Sequence, residues 1–225
     1  VAAWVLNKSH HSMIPGNRVS LPTMLGRISC TYSVDHFGSE FRISEIPSFC
    51  FEPRDDVSPL NEVPIVRLRG ARRAFDLMSW GFMSRRSRSL EAARPVSFVC
   101  GENVDRTRLF RNAFHNRRCL IPCTGFFEWR VSDENRELFF IRHRDCELLA
   151  LAGLWELWNR DEKSIHTFVV LTTWPNHLIS TISTRMPVIV PPFRYDTWLC
   201  EGQVEHPNEI LRPAPDGELV ATRVS

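Results

Sequence analysis

One carboxylate in this chain is set among aromatic rings. In Gly125-Phe126-Phe127-Glu128-Trp129-Arg130 the alternation of a strand puts Phe126, Glu128 and Arg130 on one face and Phe127 and Trp129 on the other. An acid beside apolar surface is costly to ionise unless it is paired, which suits a group that moves protons. The structural alternative is a glutamate that pairs with an arginine at a sheet rim. A second concentration is cationic. Residues 67–118 hold thirteen arginines against Asp76, Glu91, Glu102 and Asp105, a local balance of +9, while the whole chain carries +2. The rest of the chain therefore balances to −7. Such asymmetry is the footprint of an anion-binding face, with nucleic acid the usual partner. The stretch uses Arg and no Lys, which favours phosphate forks and base stacking. The alternative is a set of arginines dispersed over a solvated surface.

Tryptophans interleave with these cations. Trp80, Trp129 and Trp155 supply π-faces, and Arg85, Arg86, Arg88 and Arg185 supply charge, the combination a single-strand groove requires. Trp129 and Trp155 are flanked by strand residues and read as core. Trp80, beside Gly81 and the arginine loop, is the stacking candidate. Seven cysteines, an odd number without small-scaffold spacing, argue for reduced thiols and a cytoplasmic location. Cys119 and Cys123 have no partner pair at zinc-finger spacing and read as packing residues, so neither a metal nor another cofactor is expected.

The elements that must position these groups come next. At 225 residues, 43% hydrophobic and 24% charged, the chain fits one full-sized globular domain. No apolar run approaches the roughly 20 residues of a membrane span, and the opening residues lack the basic lead of a secretory signal. A first residue Val1 is not a natural translation start, which leaves the true N-terminus open. Residues 1–23 show no periodicity and read as an extension outside the core. Residues 28–32 suggest a short strand, with Asp35 as a helix cap, and the prolines of 46–64 suggest a loop. Residues 64–69 and 74–80 read as strands joined by a turn, and 84–89 as a basic, serine-rich loop. Another strand is expected at 95–100. The spacing of Leu109, Phe110, Ala113 and Phe114 predicts the longest helix over 105–115. Beyond Glu128, strands are expected at 138–142, 148–158 and 165–172. Short helices are expected at 176–181 and 193–199. The fold class is α+β, a single β-rich domain with short peripheral helices.

The order of motifs resembles a known family. Arg118-Cys119-Leu120-Ile121-Pro122-Cys123-Thr124-Gly125-Phe126-Phe127-Glu128-Trp129 looks like the RCLIPxxGFYEW signature of the SRAP family, the SOS response-associated peptidases or abasic-site-processing proteins. The similarity continues in Leu151-Ala152-Gly153-Leu154-Trp155-Glu156, in Leu171-Thr172-Thr173 and in Arg185-Met186-Pro187-Val188-Ile189, which matches the end of an HDRMPVI motif. Upstream, Trp80-Gly81 matches the start of WGLIPxW, and Gly26-Arg27 the end of MCGR. The resemblance implies a domain over 24–225. It also implies a cysteine nucleophile, made N-terminal by Met removal, that captures the ring-opened aldehyde of an abasic site in single-stranded DNA as a thiazolidine. Supporting groups implied are the Asn and Arg of an NAR motif, the Glu of GFYEW and the His of HDRMP.

Position by position, Glu128 is retained, but Leu25 stands where the nucleophilic Cys belongs and Ser183 where the His belongs. Phe98-Val99-Cys100 occupies the NAR positions. Leucine offers no second nucleophile, and with residues preceding Met24 no free amine is expected at the site. Cys30 and Cys100 are the candidate substitutes. The expected function is recognition of single-stranded or abasic-site DNA in the DNA-damage response, with the family's covalent cross-linking chemistry lost, by a monomer away from membranes. The expected DNA contacts are Trp80, Gly81, Arg85, Arg86 and Arg185. Two other readings stay open: an active abasic-site lyase or peptidase-like enzyme using Glu128 and another nucleophile, and an interaction module or decaying paralogue without a DNA role.

Overall fold

The computed structural model describes residues 26–43, 45, 47, 49–89, 95–132, 135–160, 163–200, 202 and 207–224. The expected extension at 1–23, Met24, Leu25 and Arg94 lie outside them. The first half of the chain supplies β1 (Arg27–Cys30), α1 (Val34–Glu40), β2 (Arg54–Val57), β3 (Glu62–Arg69), β4 (Arg72–Trp80), β5 (Phe98–Cys100) and α2 (Arg111–Asn116). After these come β6 (Arg118–Cys123), β7 (Gly125–Val131), β8 (Arg136–His143), β9 (Leu149–Arg160), β10 (Lys163–Thr173) and α3 (His177–Ser180). The chain ends with β11 (Met186–Pro187), α4 (Tyr195–Leu199), α5 (Pro207–Ile210) and β12 (Leu219–Arg223).

Two sheets divide the strands. One closes on itself: β10, β4, β3, β6 and β9 follow in order, and β9 pairs again with β10, so the path returns to its start as a small barrel. Closure removes the unpaired edges that an open sheet would expose. The β6 strand at its centre is buried along its whole length, and β9 is buried on both faces through residues 149–154. That explains why both read as continuous apolar runs rather than alternations. Gly153 pairs with Cys119 of β6 on one side and with Val170 of β10 on the other. A Cβ there would lie 3.0 Å from both the Cys119 Sγ and the Val169 carbonyl oxygen. The other sheet runs β12-β8-β7-β1-β2, with β7, the strand of Glu128, in the middle.

Among the described residues the buried side-chain polar atoms are satisfied by the chain itself, with the Nε of Arg185 the exception, as a dry interior requires. The indoles of Trp80, Trp158 and Trp198 donate to the carbonyls of Ser97, Ser87 and Cys119 at 3.0, 3.0 and 2.9 Å. Buried Arg118 donates to the carbonyls of Phe114 and His115 at the end of α2, to Trp198 and to Gly202. A cation on the last carbonyls of a helix answers both their unpaired acceptors and the dipole.

Several expectations need correction. The predicted loop 46–64 contains β2 and the start of β3, because the run between Pro53 and Pro59 is long enough for a short edge strand. The helix predicted over 105–115 is only Arg111–Asn116, preceded by a 3-10 turn at Gly101–Asn103 and further turns; α1 is longer. Ser33, not Asp35, caps α1: its Oγ accepts the His36 N–H at 3.3 Å, and Asp35 lies in the first turn. The class is α+β in its broad sense but mostly β.

Candidate functional site

Glu128 is 1% exposed. Its Oε1 accepts the Trp129 backbone N–H at 3.2 Å. The sequence alternation is realised: Phe126 and Glu128 point inward, while Phe127 and Trp129 are half-buried on the outer face. Arg130, on the Glu128 face, is held by Glu137 and lies over the Phe139 ring at 4.9 Å. Gly125 begins the strand because nothing larger fits: a Cβ there would meet the Ile141 carbonyl and the Phe140 ring at 2.5 Å. Across from Glu128 on one side is Phe139. On the other side β1 runs antiparallel, pairing Ser29 with Gly125, Ile28 with Phe126 and Arg27 with Phe127. One further step in that register brings Gly26 opposite Glu128. The facing strand thus presents no side chain there, and a Cβ on Gly26 would meet nothing within 4 Å. The residue that precedes Gly26 in sequence is Leu25.

Ser183 follows α3, with its N–H on the Ile179 carbonyl at 2.8 Å and its Oγ accepting from the Arg185 N–H at 3.4 Å. The α3 helix contacts β12, the edge strand of the sheet that carries Glu128. Arg185 itself is only 8% exposed. Its two terminal nitrogens grip Glu102 at 2.9 and 2.7 Å, and one of them also reaches the Thr172 carbonyl at 2.9 Å. Its Nε is buried without a hydrogen-bond partner among the described residues. Burial alone would raise the Glu102 pKa, but the bonds from Arg185, its backbone bonds and the Arg185 charge together leave it below the usual range. The expected role of Arg185 as a phosphate contact is therefore corrected: its fork is filled by Glu102. The ring of Trp174 lies over this guanidinium, 4.9 Å from its centroid, and is 64% exposed.

The tryptophan motif is also reassigned. Trp80 is fully buried, stacked on Phe168 at 6.0 Å and edge-on to Phe98 at 5.4 Å, so it offers no face to a base. Gly81 is a backbone device. Its φ of +148° suits glycine, and a Cβ would come within 2.8 Å of Pro95. Trp129 and Trp155 are half-buried with Arg136 and Arg67 over their rings at 5.2 and 4.4 Å.

The basic segment proves to be partly neutralised. Arg67 and Arg69 share Asp76, and Arg73 reaches Asp196 at 2.6 Å. Arg72 lies 3.9 Å from Glu45, and Arg85 and Arg117 share Glu156 at 2.6 and 2.9 Å. Three of those acids lie outside 67–118, which accounts for much of the charge asymmetry of the sequence. Arg86, Arg88, Arg106, Arg108 and Arg111 are exposed and make no ion pair among the described residues. Of the predicted pair Arg85 and Arg86, only the second is a free cation.

None of the seven cysteines is in a disulfide. Cys30 is buried, its Sγ directed at the Pro122 carbonyl at 3.5 Å, and burial pushes its pKa up to about 12 despite Arg54 nearby. It cannot supply a thiolate. Burial likewise raises Cys119 and Cys123, as packing residues should behave. Cys100 is exposed at the end of β5. Among the described residues no group of His, Cys, Asp or Glu is arranged to hold a metal, and no helix is long and apolar enough to cross a membrane. Sequence reasoning missed Trp174, Glu102 and Glu156. The first had a signal, a Trp immediately after a β-rich run and before Pro175; the acids are recognisable only once their distant arginines are placed.

Known proteins share this fold and resemble the chain in sequence. The chain is 26% identical over 207 residues to the abasic site processing protein YoqW of Bacillus subtilis (strain 168), covering 90% of this chain and 92% of that one. It is 22% identical over 153 residues to the abasic site processing protein YMR114C of Saccharomyces cerevisiae, covering 66% of this chain and 40% of that protein. A crystal structure of a Bacteroides thetaiotaomicron protein superposes with a TM-score of 0.78 at 20% identity over 88% of this chain and 91% of its own. One from Bordetella bronchiseptica gives 0.74 at 22% identity over 90% of this chain and 100% of its own. A model of the family described as SOS response associated peptidase (SRAP) matches residues 24–225. The chain thus belongs to the SRAP family.

Proposed function

We propose that this protein recognises single-stranded or abasic-site DNA in the DNA-damage response and does so reversibly, the covalent chemistry of its relatives having been lost. The observation that carries the reading is buried Glu128 one residue beyond the Phe127–Arg27 pair of β7 and β1, on a chain that has a leucine at position 25. Capturing an aldehyde requires an amine to form the imine and a second nucleophile to trap it. Leu25 supplies no such nucleophile. Glu128 keeps an acid/base group, but the partners that would make it useful are changed. Ser183 has a hydroxyl where an imidazole would move a proton near neutral pH, and Phe98 is packed against Trp80.

Support for the DNA partner comes from two sides. Relatives across most of the chain are abasic site processing proteins. Arg86, Arg88, Arg106, Arg108 and Arg111 stay exposed with no acid partner among the described residues, as phosphate contacts must. In this reading residues 24–225 act as one domain, monomeric and cytoplasmic, with 1–23 as an appended segment. The reading requires that Glu128 and Ser183 line one cleft.

One observation favours a second reading, an abasic-site lyase: Glu128 is retained and buried, and could serve as the acid/base for an imine formed by an amine elsewhere in the chain. The same experiment separates the two. Single-stranded DNA carrying an abasic site is incubated with the protein and resolved on native and denaturing gels, with and without borohydride. Reversible recognition gives a native shift and no denaturation-resistant band. A band that appears only with borohydride establishes an imine and the lyase reading. Absence of any native shift at low salt leaves an interaction module without a DNA role.

A further inference from the structure

We propose that Trp174 is a stacking platform for an unpaired nucleobase, held in place by Arg185. The inference rests on the single-strand reading above and extends it to a residue outside the family motifs. An indole with 64% of its surface in water is unusual in a chain whose Trp80, Trp158 and Trp198 are all buried. Its mounting is rigid. Trp174 directly follows the last residue of β10, and its backbone lies close enough to the Glu102 carboxylate to help lower that acid's pKa. The same carboxylate grips Arg185 in two places, and Arg185 is tied again to the Thr172 carbonyl. The guanidinium lies under the indole at 4.9 Å. A flat ring fixed over a cation, with most of its surface open, is organised for another flat ring.

Charge nearby suits the backbone of such a ligand. Glu102 lines a small cavity of about 110 Å³ together with Asp105 and Arg106. Glu102 is occupied by Arg185, whereas Arg106 is exposed and forms no ion pair among the described residues. Asp105 opposes it in part, but Arg108 and Arg111 follow in the same stretch, also exposed and without a pair. The other large exposed ring, Phe193, is 79% exposed but fits a polyanion poorly. It borders an apolar cavity of about 450 Å³ whose rim includes Glu40, Glu209 and Glu218, and its neighbour Arg194 is paired with Glu209.

The test is equilibrium binding of oligodeoxythymidylate to the unmodified protein and to Trp174→Ala, Trp174→Phe and Arg106→Ala, followed over a salt series and by tryptophan fluorescence. Trp174→Ala should weaken binding by about 5- to 150-fold, the range of one base–aromatic stack, with the salt slope unchanged. Trp174→Phe should keep most of the affinity and lose the DNA-induced quenching. Arg106→Ala should flatten the slope by about 0.7. If the unmodified protein binds and Trp174→Ala binds equally well with quenching intact, the platform is refuted while single-strand recognition stands. If the unmodified protein does not bind, single-strand recognition fails and the platform with it. Thermal melts confirm that the variants are folded, and Trp174→Phe gives the fluorescence answer should the alanine variant not be.

Discussion

Arg85 and Arg86 are neighbours in sequence and both cationic, yet they should behave as different residues. The difference lies in Glu156. Its carboxylate is buried, and it accepts from Arg85 Nε at 2.6 Å, Arg117 Nη2 at 2.9 Å and the Leu157 backbone N–H at 3.0 Å. Arg117 is itself buried, with a side chain only 10% exposed, whereas that of Arg85 is 57% exposed. Glu156→Gln keeps the volume and removes the charge. It would strand the buried Arg117 guanidinium, which costs about 3–5 kcal/mol, nearer the lower figure because an amide oxygen still accepts. For a domain of this size that is a fall of roughly 6–20 °C in Tm. Arg85→Ala breaks only the solvated arm of the same network and should cost about 0–1 kcal/mol. Urea unfolding of the two variants beside the unmodified chain reads both numbers, and DNA titration adds a third. Arg86→Ala should flatten the salt slope by about 0.7 if it meets a phosphate, and Arg85→Ala by distinctly less, since Glu156 already neutralises it. If Arg85→Ala destabilises as much as Glu156→Gln, or both arginines change the slope equally, Glu156 is not the divider the structure makes it.

Three further outcomes follow from the packing. Glu102 has a folded-state pKa below its unfolded one, so its contribution is complete above the unfolded value and is lost as pH falls through the folded value. Glu102→Gln should therefore remove part of the acid-side loss of stability seen in melts between about pH 5 and 2. Gly125→Ala should cost about 1–3 kcal/mol in urea, because the new methyl strikes both the Phe140 ring and the fixed Ile141 carbonyl. A thiol reagent at pH 8 should label Cys50, Cys100, Cys146 and Cys200 quickly. Cys30, Cys119 and Cys123 should react only on unfolding, and fast labelling of seven thiols would contradict their burial.

The strand of Glu128 was legible in sequence because alternation there is local, and its burial pattern follows the period of two. The strands β6 and β9 were legible as apolar runs, but not their closure into a barrel, which depends on β10 pairing in parallel with the distant β4 while it also pairs with β9. Trp80 was misread for a related reason. Its neighbours in sequence are a glycine and an arginine loop, while the ring that covers it, Phe168, belongs to β10. The apolar spacing over 109–114 is real, and Phe110, Ala113 and Phe114 are buried. It spans a turn and the start of a helix rather than one helix, so periodicity located the core face and overstated the element. The arginine count marked a cationic segment but could not show which charges Glu45, Asp196 and Glu156 would neutralise. In the site, Glu128 could be singled out from its setting, whereas the Arg185–Glu102–Trp174 assembly joins three stretches that only the fold brings together.

The central claim is reversible recognition without covalent capture, and one gel-shift measurement tests it most directly. The protein is titrated onto single-stranded DNA bearing one abasic site, and each sample is split between a native and a denaturing gel. The account predicts a salt-sensitive native complex and, on the denaturing gel, only free DNA. A denaturation-resistant adduct formed by the unmodified chain, with Leu25 in place, would contradict it.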